Sequence, residues 1–476
     1  MAKEEEKKNK KSFFDSVKKS NEKGKKLQIA AQSMIDNMTF SKTDVYAYYR
    51  ISNDVFDFLS SDQKAALALR TSNALNALMA NRQDPLDGHL IQTSIPFDLD
   101  AWKEQVVAEG ENWNTGEGFA QFMGEQFNHL DRQQYMKKVS YIGVHLGKRG
   151  ALDTGNLNFL EVGFNGAVDT VKQWLSAVAQ TPNEIVTPEE EISYRRREKE
   201  IFSYLSTGNL RGQRATTEEL ILLIKRQFHP FPMPIPYLDV DIENRLGPGD
   251  LELETVSVVE NKWRWLKITQ MVGHMEVTGY RAVLSFAKFP RSMTIPGQIP
   301  FFYFPARLSL PIPFTLYSRF TLYPSAKMKK EVEKKRKEQR DELDNLMQAQ
   351  DSYSSVAGGP SDFGQALYDI NEISDILSSD KSPWVQGSYR ICVEAATEEQ
   401  LKEMCAYLKQ EYENIDINLV WSAGDQKELF LEQMPGDTHR IQSFKQVTNL
   451  NMLGASGFNF SSDIGDPTFG DPTMAQ

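Results

Sequence analysis

The sequence predicts an α/β protein in the α+β sense. It should have mixed sheets with packed helices, a C-terminal ferredoxin-like βαβ unit and one projecting charged helix. Three observations predict this. Residues 44–147 alternate between strand and helix patterns, residues 249–290 are almost all strand pattern, and residues 387–424 read strand, capped helix, strand.

Taken in order, residues 1–27 hold ten lysines against five acidic residues, a local excess opposite to the rest of the chain. They read as a basic, solvated tail. Phe13 and Phe14, with Lys18 and Lys19 beside them, also have the chemistry of a short contact with an anionic membrane surface. Residues 28–227 form an N-terminal α/β segment. "DVYAYYRI" (44–51), "HLIQTSIPF" (89–97) and "KVSYIGVHLG" (138–147) are strand patterns. Residues 60–80 place Leu67, Ala74, Leu75, Leu78 and Met79 at helical spacing, and 117–138 also reads helical. Thr187-Pro188-Glu189-Glu190 and Thr216-Thr217-Glu218-Glu219 have the order of a capping box, the first with proline at the opening helical position.

Residues 228–324 begin with "FHPFPMPIPYL", whose prolines at every second position favour an extended strap; the interleaved Phe231, Met233 and Ile235 suit packing on a domain. In the strand-rich stretch that follows, Tyr, Trp and Val alternate with charges, as in a half-exposed antiparallel sheet. Trp263 and Trp265 share one face of a strand in this reading, with basic residues on the other. A core face explains them without base stacking. Residues 325–351 read as a charged helix that lacks sustained coiled-coil positions, so it should project into solvent. Residues 352–386 hold a linker and a helix. The last segment, 387–476, opens with the strand "GSYRICVEAA". The helix 397–415, capped by Thr397 and Gln400, and the strand "DINLVWSAG" complete the βαβ unit.

The chain has 476 residues, enough for roughly two to four domains. Its net charge of −11 argues against direct contact with nucleic acid, which needs a positive surface. Cys392 and Cys405 have no framework spacing, which fits a reducing compartment. The most apolar run, 299–317, carries four prolines and Arg307 and cannot span a bilayer as a helix. There is no signal-peptide pattern at the N-terminus.

A search for chemistry assembles no active site. There is no phosphate-cradling GxxxxGK[ST]; the nearest stretch, "GASG" (454–457), has no lysine. The histidines at 89, 129, 145, 229, 274 and 439 show neither HxxxH nor HExxH spacing, so no metal set emerges. His145, inside an apolar strand, reads as a satisfied structural residue. Ser16 to Lys19 matches SxxK only by lysine abundance, and there is no GxSxG.

One resemblance enters through the C-terminal residues. A βαβ unit leads into "DQKELFLEQMPGD" and then into "NLNMLGASGFNFSSDIGDPTFGDP". This order resembles the large ATPases of conjugation and type IV secretion. Asp425, Gln426, Leu429, Phe430 and Met434-Pro435-Gly436-Asp437 match the family's first motif. Asn449-Leu450, Ser461 to Asp466 (with Gly465 and Asp466) and Gly470 match its second. "YAYYRIS" and "YIGVHLGKRG" are similar to its membrane-proximal half. The family's phosphate-binding loop and its magnesium-holding strand would come after Gln476, so no ATP-binding residue carries over, and no cofactor is expected unless a separate motor domain supplies ATP chemistry. What the resemblance implies is a non-catalytic docking and coupling half of a conjugative DNA-transfer ATPase, peripheral to the cytoplasmic membrane. Its implied partners are inner-membrane components of a conjugation channel; a P-loop ATPase subunit and further copies of itself are additional candidates. Two other readings stay open: a split ATPase completed in trans by a separate P-loop protein, and a DNA-handling adaptor of the transfer apparatus.

Overall fold

The computed structural model of the chain describes residues 29–79, 82–96, 103–104, 136–149, 186–207, 210–233, 245–246, 256–261, 264–272, 275–290, 293–295, 297, 299–308, 313–330, 332–334, 337–338 and 383–461. In chain order the strands are β1 Ser33–Ile35, β2 Met38–Phe40, β3 Asp44–Ile51, β4 Asp54–Val55, β5 Leu86–Pro96, β6 Met136–Lys148, β7 Gln213–Arg214 and β8 Arg245–Leu246. There follow β9 Val256–Asn261, β10 Trp265–Val272, β11 Met275–Lys288, β12 Phe314–Tyr323, β13 Trp384–Ala395, β14 Asn418–Val420, β15 Gln446–Asn449 and β16 Phe460–Ser461. The helices are α1 Ser61–Ala77, α2 Pro188–Thr207, α3 Thr217–Phe228, α4 Glu398–Glu413, α5 Gln426–Glu432 and α6 Leu450–Ala455.

One large sheet organises these elements, in the order β8-β1-β2-β3-β6-β5-β12-β13-β11-β10-β9. β7 flanks β3, β15 flanks β13 and β14 flanks β11. Every pairing within it is antiparallel. A parallel pairing joins β4 to β16 in a separate small sheet. The mix of packed helices and strands is that of the α/β class, and the sheet takes strands from segments 28–227, 228–324 and 387–476 alike.

Because side chains alternate along a strand, the pairing registers define two faces. One face is apolar: Ile142, Leu316, Ile391 and Leu284 meet α1, α2, α4 and α6 in the largest core cluster. The run at 299–317, the most apolar in the sequence, supplies part of this core. Phe301, Phe302 and Tyr303 are buried, and Phe286, Phe301 and Tyr389 form a ring cluster with centroids 5.1–5.4 Å apart. Among the described residues no helix is long and apolar enough to cross a membrane.

The other face is polar at its centre and is covered by α3 and α5. α3, "TEELILLIKRQF", is buried except along one narrow stripe, where Glu218 and Lys225, two turns apart, face outward. This cover corrects the expectation of a half-exposed sheet over 249–290 for the second half of β11 only; Met271, Met275 and Glu276, on β10 and the start of β11, are exposed as expected. Arg281 and Ser285, on the polar alternation of β11, are buried. The strand reading near Trp265 is corrected at one residue: Arg264 lies in a turn before β10, whereas β10 starts at Trp265, which is buried in the apolar core as the core-face reading expects.

The C-terminal βαβ unit is split by a neighbour. Ser285 of β11 pairs with Arg390 of β13 and with Val420 of β14, so β13 and β14 run parallel on opposite sides of β11. Local chemistry sets the helix starts. Ser60 with Gln63 and Thr216 with Glu219 form complete capping boxes, while Thr187 and Thr397 each accept one third-position amide. Each cap stabilises its helix by about 1 kcal/mol. The proline strap begins against β11: a Cβ on Gly279 would fall 2.7 Å from the Phe231 nitrogen. Residues 325–330 are helical, and Met328 and Val332 pack on Trp384. The helical expectation for 117–138 is corrected at its end, where 136–138 belong to β6; its residues 117–135, the rest of the charged helix from 339, the linker and helix as far as 382, and the tail 1–27 lie outside the described residues.

Candidate functional site: the junction at Met-Pro-Gly-Asp

The polar face of the sheet grips the motif that carries the resemblance. Gln426, at the start of α5, is fully buried and acts as a surrogate strand. Its Oε1 accepts from the Val283 N–H at 2.8 Å, and its Nε2 donates to the carbonyls of Val283 and Ser422. Asp425 stands at the helix N-cap without a side-chain capping bond. Leu429 packs with Val283, Tyr317 and Cys392, and Phe430 packs edge-on against Phe228 of α3. The Tyr317 hydroxyl donates to the Leu429 carbonyl at 2.6 Å.

Beyond α5 the backbone is held carbonyl by carbonyl. Arg319 donates from Nε to Glu432 O at 2.9 Å and from Nη2 to Met434 O at 2.8 Å. Pro435 is buried. Gly436 takes φ +79°, a conformation that favours glycine, and donates its N–H to the Tyr48 hydroxyl at 2.9 Å. Asp437 is buried and receives a bidentate Arg440, whose Nη1 also reaches Glu428. Arg390, fully buried, donates from Nη2 to Ser443 O at 2.9 Å and to Ile441 O. The structure therefore brings Asp425, Gln426, Leu429, Phe430, Pro435, Gly436 and Asp437 into one junction. Gly465, Asp466, Phe13, Phe14, Lys18 and Lys19 lie outside the described residues.

Sequence reasoning missed the other half of this junction. His89, Arg319 and Ser388 sit side by side on β5, β12 and β13, with Arg390 in the next row. Glu432 lies against them, fully buried; the Ile441 amide acts on its carboxylate, and neither oxygen closes a hydrogen bond with either arginine. Burial pushes its carboxyl up to about 7, although Arg390 and Arg319 pull the other way. His439 Nε2 is 3.3 Å from Glu432 Oε1 and 2.9 Å from Ser388 Oγ. Burial, with Lys445 and the two arginines, drives that imidazole down to about 3, so it is neutral. The available signal was an arginine inside each of two strand patterns, "FTLYSRFTLY" and "SYRICVEAA", where a charge on a covered strand demands a buried partner.

Serine, histidine and glutamate in one cluster invite comparison with a hydrolytic triad, and the geometry does not match. Ser388 and Glu432 approach the same imidazole nitrogen, whereas a base relay needs the acid on the opposite one. Ser388 is also fully buried. Other sites have structural explanations. His145 Nε2 pairs with Asp44 at 2.9 Å, and His89 Nδ1 meets the Tyr48 hydroxyl at 3.1 Å. The "GASG" stretch serves helix packing: a Cβ on Gly454 would fall 2.6 Å from the Ser72 nitrogen of α1. Both cysteines are buried free thiols. Among the described residues no three His, Cys, Asp or Glu side chains converge as a metal set. A cleft of about 530 Å³ near Asn73, Met79, Pro324 and Pro383 has no ionisable side chain in its lining.

The fold and the junction define a class: an antiparallel sheet layered by helices on both faces, with a loop segment wired into its buried polar side. No protein-family model matches the sequence, and no curated protein matches it.

Proposed function

We propose that this chain is the docking and coupling part of a conjugative-transfer (type IV secretion) ATPase, placed between a P-loop motor and the inner-membrane components of the transfer channel. The observation that carries this reading is how the junction is wired. Four side chains from the sheet and α5 fix the segment from Gln426 to Asp437: Tyr48, Tyr317, Arg319 and Gln426. Buried hydrogen bonds of this kind, several to backbone carbonyls, leave the segment few ways to move alone. A displacement applied at Asp437 is passed to β3, β12 and, through Gln426, β11 rather than absorbed in a loop. A stiff link suits a part that transmits motion, and the nucleotide chemistry belongs to the P-loop motor.

The test is recovery of partners from cells. The tagged full-length protein is purified from detergent-solubilised membranes of cells that carry its transfer system, with and without residues 1–27. Co-purification of a P-loop ATPase and of channel components supports the reading, with less membrane association once the tail is removed. A protein that stays wholly in the soluble fraction in both forms, with neither partner, overturns it. So does stable ATP turnover by the purified chain alone.

A further inference from the structure

We propose that Arg319 and Arg390 hold a small monovalent anion, of the chloride class, on the buried polar face of the sheet. The site is argued from local geometry and charge, independently of the coupling function.

The pairing register sets the two guanidiniums side by side. Arg319 of β12 faces Ser388 of β13, and Tyr317 faces Arg390. The two arginines are therefore diagonal neighbours on one face, their backbones roughly 7–8 Å apart. Both are buried, Arg390 completely. Each spends part of its fork on backbone carbonyls: Arg319 on Glu432 and Met434, Arg390 on Ile441 and Ser443. Nη1 of Arg319, and Nε and Nη1 of Arg390, are buried donors left without an acceptor. Ser285 of β11 lies directly across from Arg390, and its buried hydroxyl has no partner either.

Charge makes the same point. Among the described residues neither guanidinium forms an ion pair. The neighbouring pair behaves differently: Arg226 and Arg281 close on Glu394 at 2.8 and 3.3 Å. Asp437 is taken by Arg440. Of the buried carboxylates described, that leaves Glu432, which is turned to His439 and the Ile441 amide. Even fully ionised, it supplies one negative charge against two buried cations.

A guanidinium keeps its charge inside a protein, and a charge out of water without a counter-charge is costly. The carbonyl dipoles offset part of that cost, as does the Tyr46 ring, whose centroid is 5.6 Å from Arg319. A water molecule would satisfy the orphaned N–H groups and bring no charge. An anion does both. Every donor here is buried, so the space between them suits a single-atom ion better than phosphate.

The test is urea unfolding of the full chain at constant pH and ionic strength, with potassium chloride exchanged for potassium gluconate. Once the site is filled, each tenfold rise in chloride should raise the folding constant about tenfold. Bromide should substitute for chloride. Arg390→Gln removes one cation, keeps a polar head, and should abolish the dependence. Stability indifferent to chloride overturns the proposal, as does the same dependence in Arg390→Gln. A chloride response seen in Glu432→Gln and not in the wild type also overturns it, because Glu432 would then be the natural counter-charge. If Arg390→Gln does not fold, wild-type crystals grown in bromide decide. An anomalous peak between Arg319 Nη1 and Arg390 Nε supports the site, and an ordered water at that position refutes it.

Discussion

The Gly436 amide donates to the Tyr48 hydroxyl across 388 residues of sequence, at 2.9 Å in the buried interior. Tyr48 also meets His89 Nδ1, and its ring lies directly over Gly143, where a Cβ would approach to 2.4 Å. One tyrosine on β3 thus ties the first half of the sheet to the turn after α5. Tyr48→Phe keeps the ring contact and removes the hydroxyl, leaving a buried N–H without its acceptor. The expected loss is about 1–3 kcal/mol in urea unfolding. An unchanged midpoint would mean that the bond contributes nothing net.

Gly436 itself is constrained by conformation and by space. At φ +79° an L side chain is strained, and a Cβ would meet Thr39 Oγ1 at 3.0 Å and the Ala31 Cβ at 3.2 Å. Gly436→Ala is expected to destabilise by about 1–2 kcal/mol from the backbone term, and by more where Thr39 cannot yield. Gly424 serves as the control. It has a similar φ of +93° with nothing within 4 Å of a built Cβ, so Gly424→Ala should show the backbone term alone.

Gln426→Leu should be worse than its similar volume suggests. The amide satisfies both the N–H and the C=O of Val283 and also reaches Ser422 O. Leucine would leave these buried groups without those bonds, costing about 2–4 kcal/mol. Faster exchange of the Val283 amide reports the same loss locally. A variant as stable as the wild type, with that amide still protected, would contradict the assigned role.

Much of the local structure was legible because it depends on local chemistry. "DVYAYYRI" reads as a strand over 44–51, and β3 occupies those same residues. The Thr216 and Thr397 caps begin helices where the side-chain pattern places them. The assembly of strands was not legible. β5 pairs with β12, more than two hundred residues away, and a period-two pattern names a strand's faces without naming its partner. The same limit hid the polar junction. In "SYRICVEAA" the alternation of Arg390, Cys392 and Glu394 with Ile391 and Val393 looks like one wet face and one dry face. Both are dry, because α3 and α5 cover the side that alternation assigns to solvent. Buried charge carried the missing information, and only the fold shows which charges meet.

Glu394 is the sharpest case of such a meeting and yields the last prediction. It is buried between Arg226 of α3, at 2.8 Å, and Arg281 of β11, at 3.3 Å. Arg226 also donates to Ser94 O and Thr315 Oγ1, and Arg281 to Gln227 Oε1 and to the carbonyls of Arg226 and His229. This carboxylate is the counter-charge shared by the two guanidiniums that help fasten α3 to the sheet. Burial alone would raise the Glu394 carboxyl, but the two guanidiniums outweigh it and hold it below its ordinary value of 4.5. A depressed carboxyl stabilises the fold above its unfolded value and loses that contribution as the pH falls through its lower folded value. Stability should therefore decline below about pH 4.5, with α3 amides losing protection first. Glu394→Ala leaves two buried cations with no counter-charge and is expected to cost about 3–5 kcal/mol at neutral pH. Glu394→Gln keeps part of the hydrogen bonding, should cost less, and should remove this group's share of the acid sensitivity. Equal acid profiles for Glu394→Gln and the wild type would place the acid-labile carboxylate elsewhere.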